Sequence, residues 1–187
     1  MPEGLVFSGS LPVVGRVEIS LTPGERCCLV CMERDTGALV CRLLSGLAVV
    51  EDGRLTLNGV TYPTPDGESV APVGYLPSPA PPLIRPFRLP DTIAAALGVA
   101  RLLDREGPFS PGESQLLHLG ALLVRGHVHL ALDRPLDPLG REDAGRVLEL
   151  LAEYPGGVLI TAATAPPGWM VLTPGGAGCS GGSDTGC

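Results

Sequence analysis

Phe109–Leu139 reads FSPGESQLLHLGALLVRGHVHLALDRPLDPL. Its first half carries a helix start. Ser110 stands three residues before Glu113, the spacing of a capping box. Pro111 falls at the first helical position, where a missing N–H does no harm. The leucines that follow predict a helix over Gly112–Val124. His127–Leu132 is short and largely apolar, which predicts a strand running into Asp133. A capped helix, a short loop and a buried strand ending in a carboxylate form one unit of an alternating α/β chain.

The flanking sequence repeats that alternation. Residues 12–21 alternate apolar and polar around Val17, Ile19 and Leu21, as an edge strand does. Cys27–Val30 predicts a short buried strand, and Ala38–Leu47 a helix with Leu39, Leu43, Leu44 and Leu47 on one face. Gly53–Leu57 and Val60–Tyr62 flank Asn58-Gly59, a strong hairpin signal. Val73–Leu76 predicts another strand. Residues 77–90 hold six prolines and predict no regular structure. Asp91 reads as an N-cap for a helix to about Leu103. Arg141–Glu153 is amphipathic through Ala144, Val147, Leu148 and Leu151. Gly157–Ala162 and Trp169–Leu172 predict the last strands. The expected architecture is α/β, with a helix-covered parallel sheet and an antiparallel pair drawn from residues 4–21 and 53–62. Residues 1–173 are expected to form one domain, and 174–187 a flexible Gly/Ser/Cys tail.

Composition narrows the function. The 187 residues suffice for one cored domain, and 44% hydrophobic content with 18% charge excludes a disordered chain. The net charge is −7 and every strong base is arginine, because the chain contains no lysine. That balance gives no electrostatic footprint for nucleic acid. No apolar run reaches the roughly 18–20 residues that span a bilayer. The first residues lack the basic start and apolar core of a signal peptide. A cytoplasmic location is therefore expected, with any membrane link made through a partner. The six cysteines are expected to be reduced there.

These segments, taken in order, resemble the ATP-binding-cassette (ABC) ATPase family over residues 12–173. ISLTPGERCCLV (19–30) resembles the lead-in to the phosphate loop, LLSGL (43–47) the end of the next helix, and DGRLTLNGV (52–60) the hairpin after it. VGYLPS (73–78) resembles the strand into the Q-loop, and FSPGE the LSGGQ signature. The strand into Asp133 resembles Walker B, and GVLITAAT (157–164) the strand into the switch-histidine loop. The resemblance implies a P-loop-NTPase-like parallel sheet with flanking helices and a small antiparallel β subdomain. The short span between Q-loop and signature implies a reduced helical subdomain.

Position by position, the resemblance implies a degenerate site. Where the family has Gly-x-x-x-x-Gly-Lys-Ser/Thr, this chain has Cys31, Met32, Glu33, Arg34, Asp35, Thr36, Gly37 and Ala38. The glycines let amides wrap the phosphates, the lysine balances β/γ charge, and the hydroxyl holds Mg²⁺. Cys31 and Thr36 replace the glycines, Gly37 the lysine and Ala38 the hydroxyl, while Glu33 and Asp35 add repulsive charge. Ser78 stands at the Q-loop glutamine, and Asp133 keeps the Walker B carboxylate. Arg134 replaces the catalytic glutamate, Asp137-Pro138-Leu139-Gly140 the Ser-x-Leu-Asp that follows, and Ala163 the switch histidine. Ser110 and Gly112 alone survive from the signature. Phosphoryl transfer depends on that electrostatic clamp, so no hydrolysis is expected.

ABC ATPases work as head-to-tail dimers in which one subunit's signature faces the other's phosphate loop. The resemblance therefore implies an inactive subunit pairing with an active ATPase, a permease, or both. Any ATP or Mg²⁺ would then bind only at a site shared through Ser110 and Gly112. The alternative is a structural or regulatory protein that keeps the fold, binds no nucleotide, and either forms a self-dimer or stabilises an unrelated complex.

Other features leave paired readings. Cys28 and Cys31 have CxxC spacing beside Cys27; small buried hydrophobes compete with metal or redox chemistry. Cys179 and Cys187 flank the tail's Gly/Ser stretch, as chance residues, the ends of a closable loop or a metal-binding pair. His127 and His129 are expected on one face of their strand, in register with Asp133, where packing competes with metal binding. Arg134 most simply pairs with Asp133, or serves a subunit interface. The proline-rich run reads as a rigid connector or a partner-binding polyproline helix.

Overall fold

The computed structural model describes residues 4–11, 15–63, 72–83, 85 and 88–173. In chain order its elements are β1 (Leu5–Leu11), β2 (Gly15–Leu21), β3 (Arg26–Val30), α1 (Arg34–Leu44), β4 (Arg54–Leu57), β5 (Val60–Tyr62), β6 (Val73–Leu76) and α2 (Asp91–Ala96). A 3-10 turn (Ala100–Leu102) follows, then α3 (Pro111–Arg125), β7 (His129–Leu132), α4 (Arg141–Ala152), β8 (Gly157–Ala162) and β9 (Met170–Leu172).

Five strands form a sheet in the order β6-β7-β8-β3-β9. Every neighbouring pair in it is parallel. β7 is buried along its whole length, as strands covered on both faces must be. The other sheet has the order β2-β1-β4-β5 and is antiparallel throughout. β1 there buries Leu5, Phe7 and Leu11 and turns Val6 and Ser10 outward, the alternation of a half-covered sheet.

Two cores result. Leu5, Phe7, Ile19 and Leu21 of the antiparallel sheet meet Cys27, Leu29, Val40, Cys41 and Leu44. On the far side Cys28, Leu130, Leu132 and Ile160 meet Leu116, Leu117, Val147 and Leu151 of α3 and α4. β3 therefore feeds both cores by alternation. A fully buried leucine cut to alanine costs about 2–5 kcal/mol against about 1 kcal/mol for a lost cap. Packing, more than capping, holds α3.

Several boundaries differ from expectation. α1 begins at Arg34, four residues before Ala38, and ends at Leu44. Gly46 at φ 69° closes it with a hydrogen bond to Leu43 O, leaving Leu47 outside and exposed; glycine takes that conformation freely. Its buried face is Gly37, Val40, Cys41, Leu43 and Leu44. The single helix expected from Asp91 is split, because Gly98 at φ 69° interrupts it. Pro90 holds the N-cap position, and Asp91 is the first helical residue. The hairpin forms as expected, with Asn58 and Gly59 both at positive φ. Between β6 and α3 the described residues contain no helix beyond α2 and the 3-10 turn, which is the reduced helical region anticipated. The start of the 12–21 strand and the tail with Cys179 and Cys187 lie outside the described residues.

Candidate functional site

The carboxyl ends of β3, β7 and β8 converge, the usual ligand position in open parallel sheets. Cys31 N–H bonds Ala162 O at 3.1 Å, and Asp133 N–H bonds Leu76 O at 2.9 Å. These bonds set the ends of β3, β6, β7 and β8 beside one another.

Only three residues, Cys31–Glu33, bridge β3 to α1. Arg34–Ala38, within the span matched to the phosphate loop, are already helical. Gly37 N–H bonds Glu33 O at 3.4 Å, so it belongs to the first helical turn. The local sequence explains this. No glycine interrupts 31–36, and Asp35 in the first turn suits the positive end of the helix. A β-carbon on Gly37 would lie 3.0 Å from Thr161 Oγ1 and 3.2 Å from Cys31 Sγ. Gly37 is a close-packing point between α1 and β8.

Asp133 is buried at the end of β7. Thr161 Oγ1 donates to its Oδ1 at 2.7 Å, and the Ser78 N–H also donates to it. Burial pushes the Asp133 carboxyl up from its usual range, and the two hydrogen bonds oppose that rise. Thr161 in turn accepts the Arg134 N–H at 3.0 Å. Thr161 is fully buried. Its signal in the sequence was a hydroxyl inside an otherwise apolar strand.

Arg134 is 6% exposed and its backbone is left-handed, φ 41°. That turn carries the side chain off the strand toward the β3–α1 loop. Nη2 donates to Cys31 O at 2.8 Å and Met32 O at 2.9 Å. Nη1 meets Asp137 Oδ2 at 3.4 Å, and Arg34 reaches the same oxygen at 3.4 Å. The expected pair with Asp133 is thus corrected: the carboxylate partner of Arg134 is Asp137, because the left-handed backbone directs the guanidinium away from its neighbour. Asp137, read from sequence only as a lost motif, is the bridge between two arginines.

At the signature-like stretch the capping box forms in full. Ser110 Oγ accepts the Glu113 N–H at 3.2 Å. The Glu113 carboxylate takes the Ser110 N–H at 2.8 Å and Arg105 at 2.7 Å, and Arg105 lies 4.9 Å over Phe109. The Ser110 amide, then Arg105, hold the Glu113 carboxyl below its usual range against some burial. A β-carbon on Gly112 would lie 2.8 Å from Pro138 O. Gly112 therefore lets α3 approach the turn after Asp137. Gln115, buried one turn on, accepts the Ala80 N–H at 3.2 Å and ties down the segment after Ser78.

The other candidates disperse. Ala163 is exposed beyond β8, and Ala38 is half-buried. Burial raises the Cys28 thiol to about 11, raises Cys31 despite Arg134, and raises Cys41 strongly. These are core thiols, with Cys28 and Cys31 in opposite cores. The two histidines do not share a face. The His127 ring packs on Gly74 beside Leu130, whereas His129 Nδ1 accepts the Gly157 N–H at 3.0 Å near Leu21. His127 precedes β7, so strand alternation does not govern it. Among the described residues no group of three or more His, Cys, Asp or Glu could hold a metal. Nor is any described helix long and apolar enough to cross a membrane.

The chain matches no family model and no curated protein. Its fold is found among solved structures. An ABC transporter ATP-binding protein from Pyrococcus furiosus superposes with a TM-score of 0.71 at 17% identity, over 91% of this chain and 97% of that one. The ATP-binding subunit of another ABC transporter gives a TM-score of 0.68 at 16% identity, over 84% of this chain and 78% of that one. An ATP-binding cassette in its ADP conformation gives 0.65 at 14% identity, over 88% and 82%. The parallel sheet with its small antiparallel companion is the fold of ABC transporter ATP-binding subunits.

Proposed function

We propose that this chain is a catalytically inactive, ABC-ATPase-like subunit of a transporter-type complex, acting by association with an active ATPase, a permease, or both. The observation that carries this reading is the closed β3–α1 loop. The residues there are a poor match to a magnesium triphosphate. Gly37 offers no amine and a side chain there would crowd Thr161 and Cys31, and Ala38 offers no hydroxyl. Glu33 and Asp35 repel phosphate, and the guanidinium of Arg134 is engaged by two carbonyls and Asp137. Asp133 is held by Thr161 and Ser78, with no general base after it in sequence. Retention of the ATP-binding-subunit fold around so altered a site favours a role in assembly.

A second reading has its own support. The Glu113 carboxylate occupies the N-terminus of α3, where a partner's γ-phosphate would have to approach. That favours a purely structural or regulatory protein with no nucleotide at either face. The two readings part in one experiment: the chain is purified with whichever ABC ATPase and permease it co-isolates, and ATP hydrolysis is measured for wild type and Ser110→Arg. Loss of the complex's activity in the variant supports the subunit reading. Full activity in the variant supports the structural one. Hydrolysis by the isolated chain above a heat-killed control would overturn both.

A further inference from the structure

Arg134 is a strange residue for its place. A positive φ disfavours a side chain, and glycine would take it freely. Yet an arginine, the longest cation available, is buried there. Its guanidinium meets oxygens from two separate stretches of chain. Cys31 O and Met32 O come from the loop after β3, and Asp137 Oδ2 from the turn after β7. Its own amide is fixed to Thr161 on β8, whose hydroxyl is fixed to Asp133. Stripped of the guanidinium, this corner would leave two carbonyls directed at one point beside the Asp137 carboxylate. Such a socket asks for a cation.

We propose that Arg134 is a tethered cation that fills this socket and latches the β3–α1 loop shut. The loop then holds one conformation whatever ligand is in solution. The latch rests on the reading above that no nucleotide enters this site, and adds the residue that keeps it out. Its parts are consistent with one another. The planar fork of arginine suits paired oxygens where a lysine would not. Arg34, the first residue of α1, is drawn to the same Asp137 oxygen, so the latch also fastens the start of the helix. Gly37 packs against Thr161 on the other side of the same contact.

The test uses the full chain and Arg134→Gly, a change that relieves the backbone and removes the guanidinium together with its three-carbon stem. Tm is expected to fall by roughly 3–12 °C, the cost of leaving the Cys31 and Met32 carbonyls without their charged donor in a chain of this size. Amide exchange at residues 31–37 is expected to accelerate more than in α3, as local opening requires. Methylguanidinium, well below denaturing concentration, is expected to restore both readouts in Arg134→Gly. It should do nothing for Arg146→Ala, which removes an arginine paired outside the socket with Glu142 and Asp143. Unchanged exchange at 31–37, or no response to methylguanidinium, overturns the latch. Should Arg134→Gly fail to fold, refolding in methylguanidinium decides: recovery supports the latch, and continued failure overturns it. The two failures are distinguishable. A missing methylguanidinium effect sinks the latch alone, whereas stabilisation of wild type by Mg-ATP sinks the functional reading and the latch with it.

Discussion

Restoring the lysine should not restore an ATPase. The perturbation is Gly37→Lys, with Gly37→Ala as its first step. A β-carbon at 37 would stand 3.0 Å from Thr161 Oγ1, 3.1 Å from Thr161 Cβ and 3.2 Å from Cys31 Sγ. Thr161 cannot swing away without breaking its bonds to Asp133 and the Arg134 amide. Overpacking of that kind costs about 1–3 kcal/mol. Alanine recovers about 1 kcal/mol in helix propensity, so Gly37→Ala should come out about 0–2 kcal/mol less stable. Lysine recovers less and adds a stem and a charge beside buried Thr161, for a net loss of about 3–5 kcal/mol. In a chain of this length that is roughly 6–20 °C in Tm. Urea and thermal unfolding give the stabilities, and titration calorimetry with Mg-ATP gives binding. Wild-type stability in Gly37→Lys, together with heat released by Mg-ATP, would refute the reasoning: the loop would then be able to open and accept the side chain.

The remaining predictions concern caps and protons. Ser110→Ala removes the acceptor for the Glu113 amide and should cost about 0.5–2 kcal/mol in urea unfolding; no loss would mean the capping box contributes nothing. His129 is held below its usual pKa, chiefly by burial, and accepts the Gly157 N–H while neutral. The unfolded chain therefore binds the extra proton first. The stability from neutral His129 is complete above about pH 6.5 and declines as pH falls below it, by up to about 1.4 kcal/mol per unit. Asp133, raised by burial, acts in the opposite sense, so the comparison is made between wild type and His129→Gln across that window. An identical slope in both would contradict the assignment.

Much of this fold was legible because its signals were local. The capping box at Ser110–Glu113, the Asn58-Gly59 turn and the apolar run Gly157–Ala162 each specify their element from a few adjacent residues. The start of α1 was not, since the apolar periodicity begins the helix at Ala38, whereas the chain, with no glycine over 31–36, winds into helix from Arg34. The polar first turn carries no apolar period to mark it. The α2 break was available at Gly98, whose backbone sign no periodicity reports. The side-chain network at the site was not legible in the sequence. Arg134 pairing with Asp137 depends on a left-handed backbone, and its bonds to Cys31 and Met32 span about a hundred residues of sequence. Thr161, the hinge of that network, lies on a strand where only burial marks it.

The most direct test is the thermal stability of the wild-type chain with and without Mg-ATP. A ligand at a hundredfold its dissociation constant adds about 2.7 kcal/mol to the native state, roughly 5–11 °C in Tm for a chain of this size. The closed loop predicts superimposable unfolding curves at every Mg-ATP concentration. A saturable upward shift in Tm would contradict it.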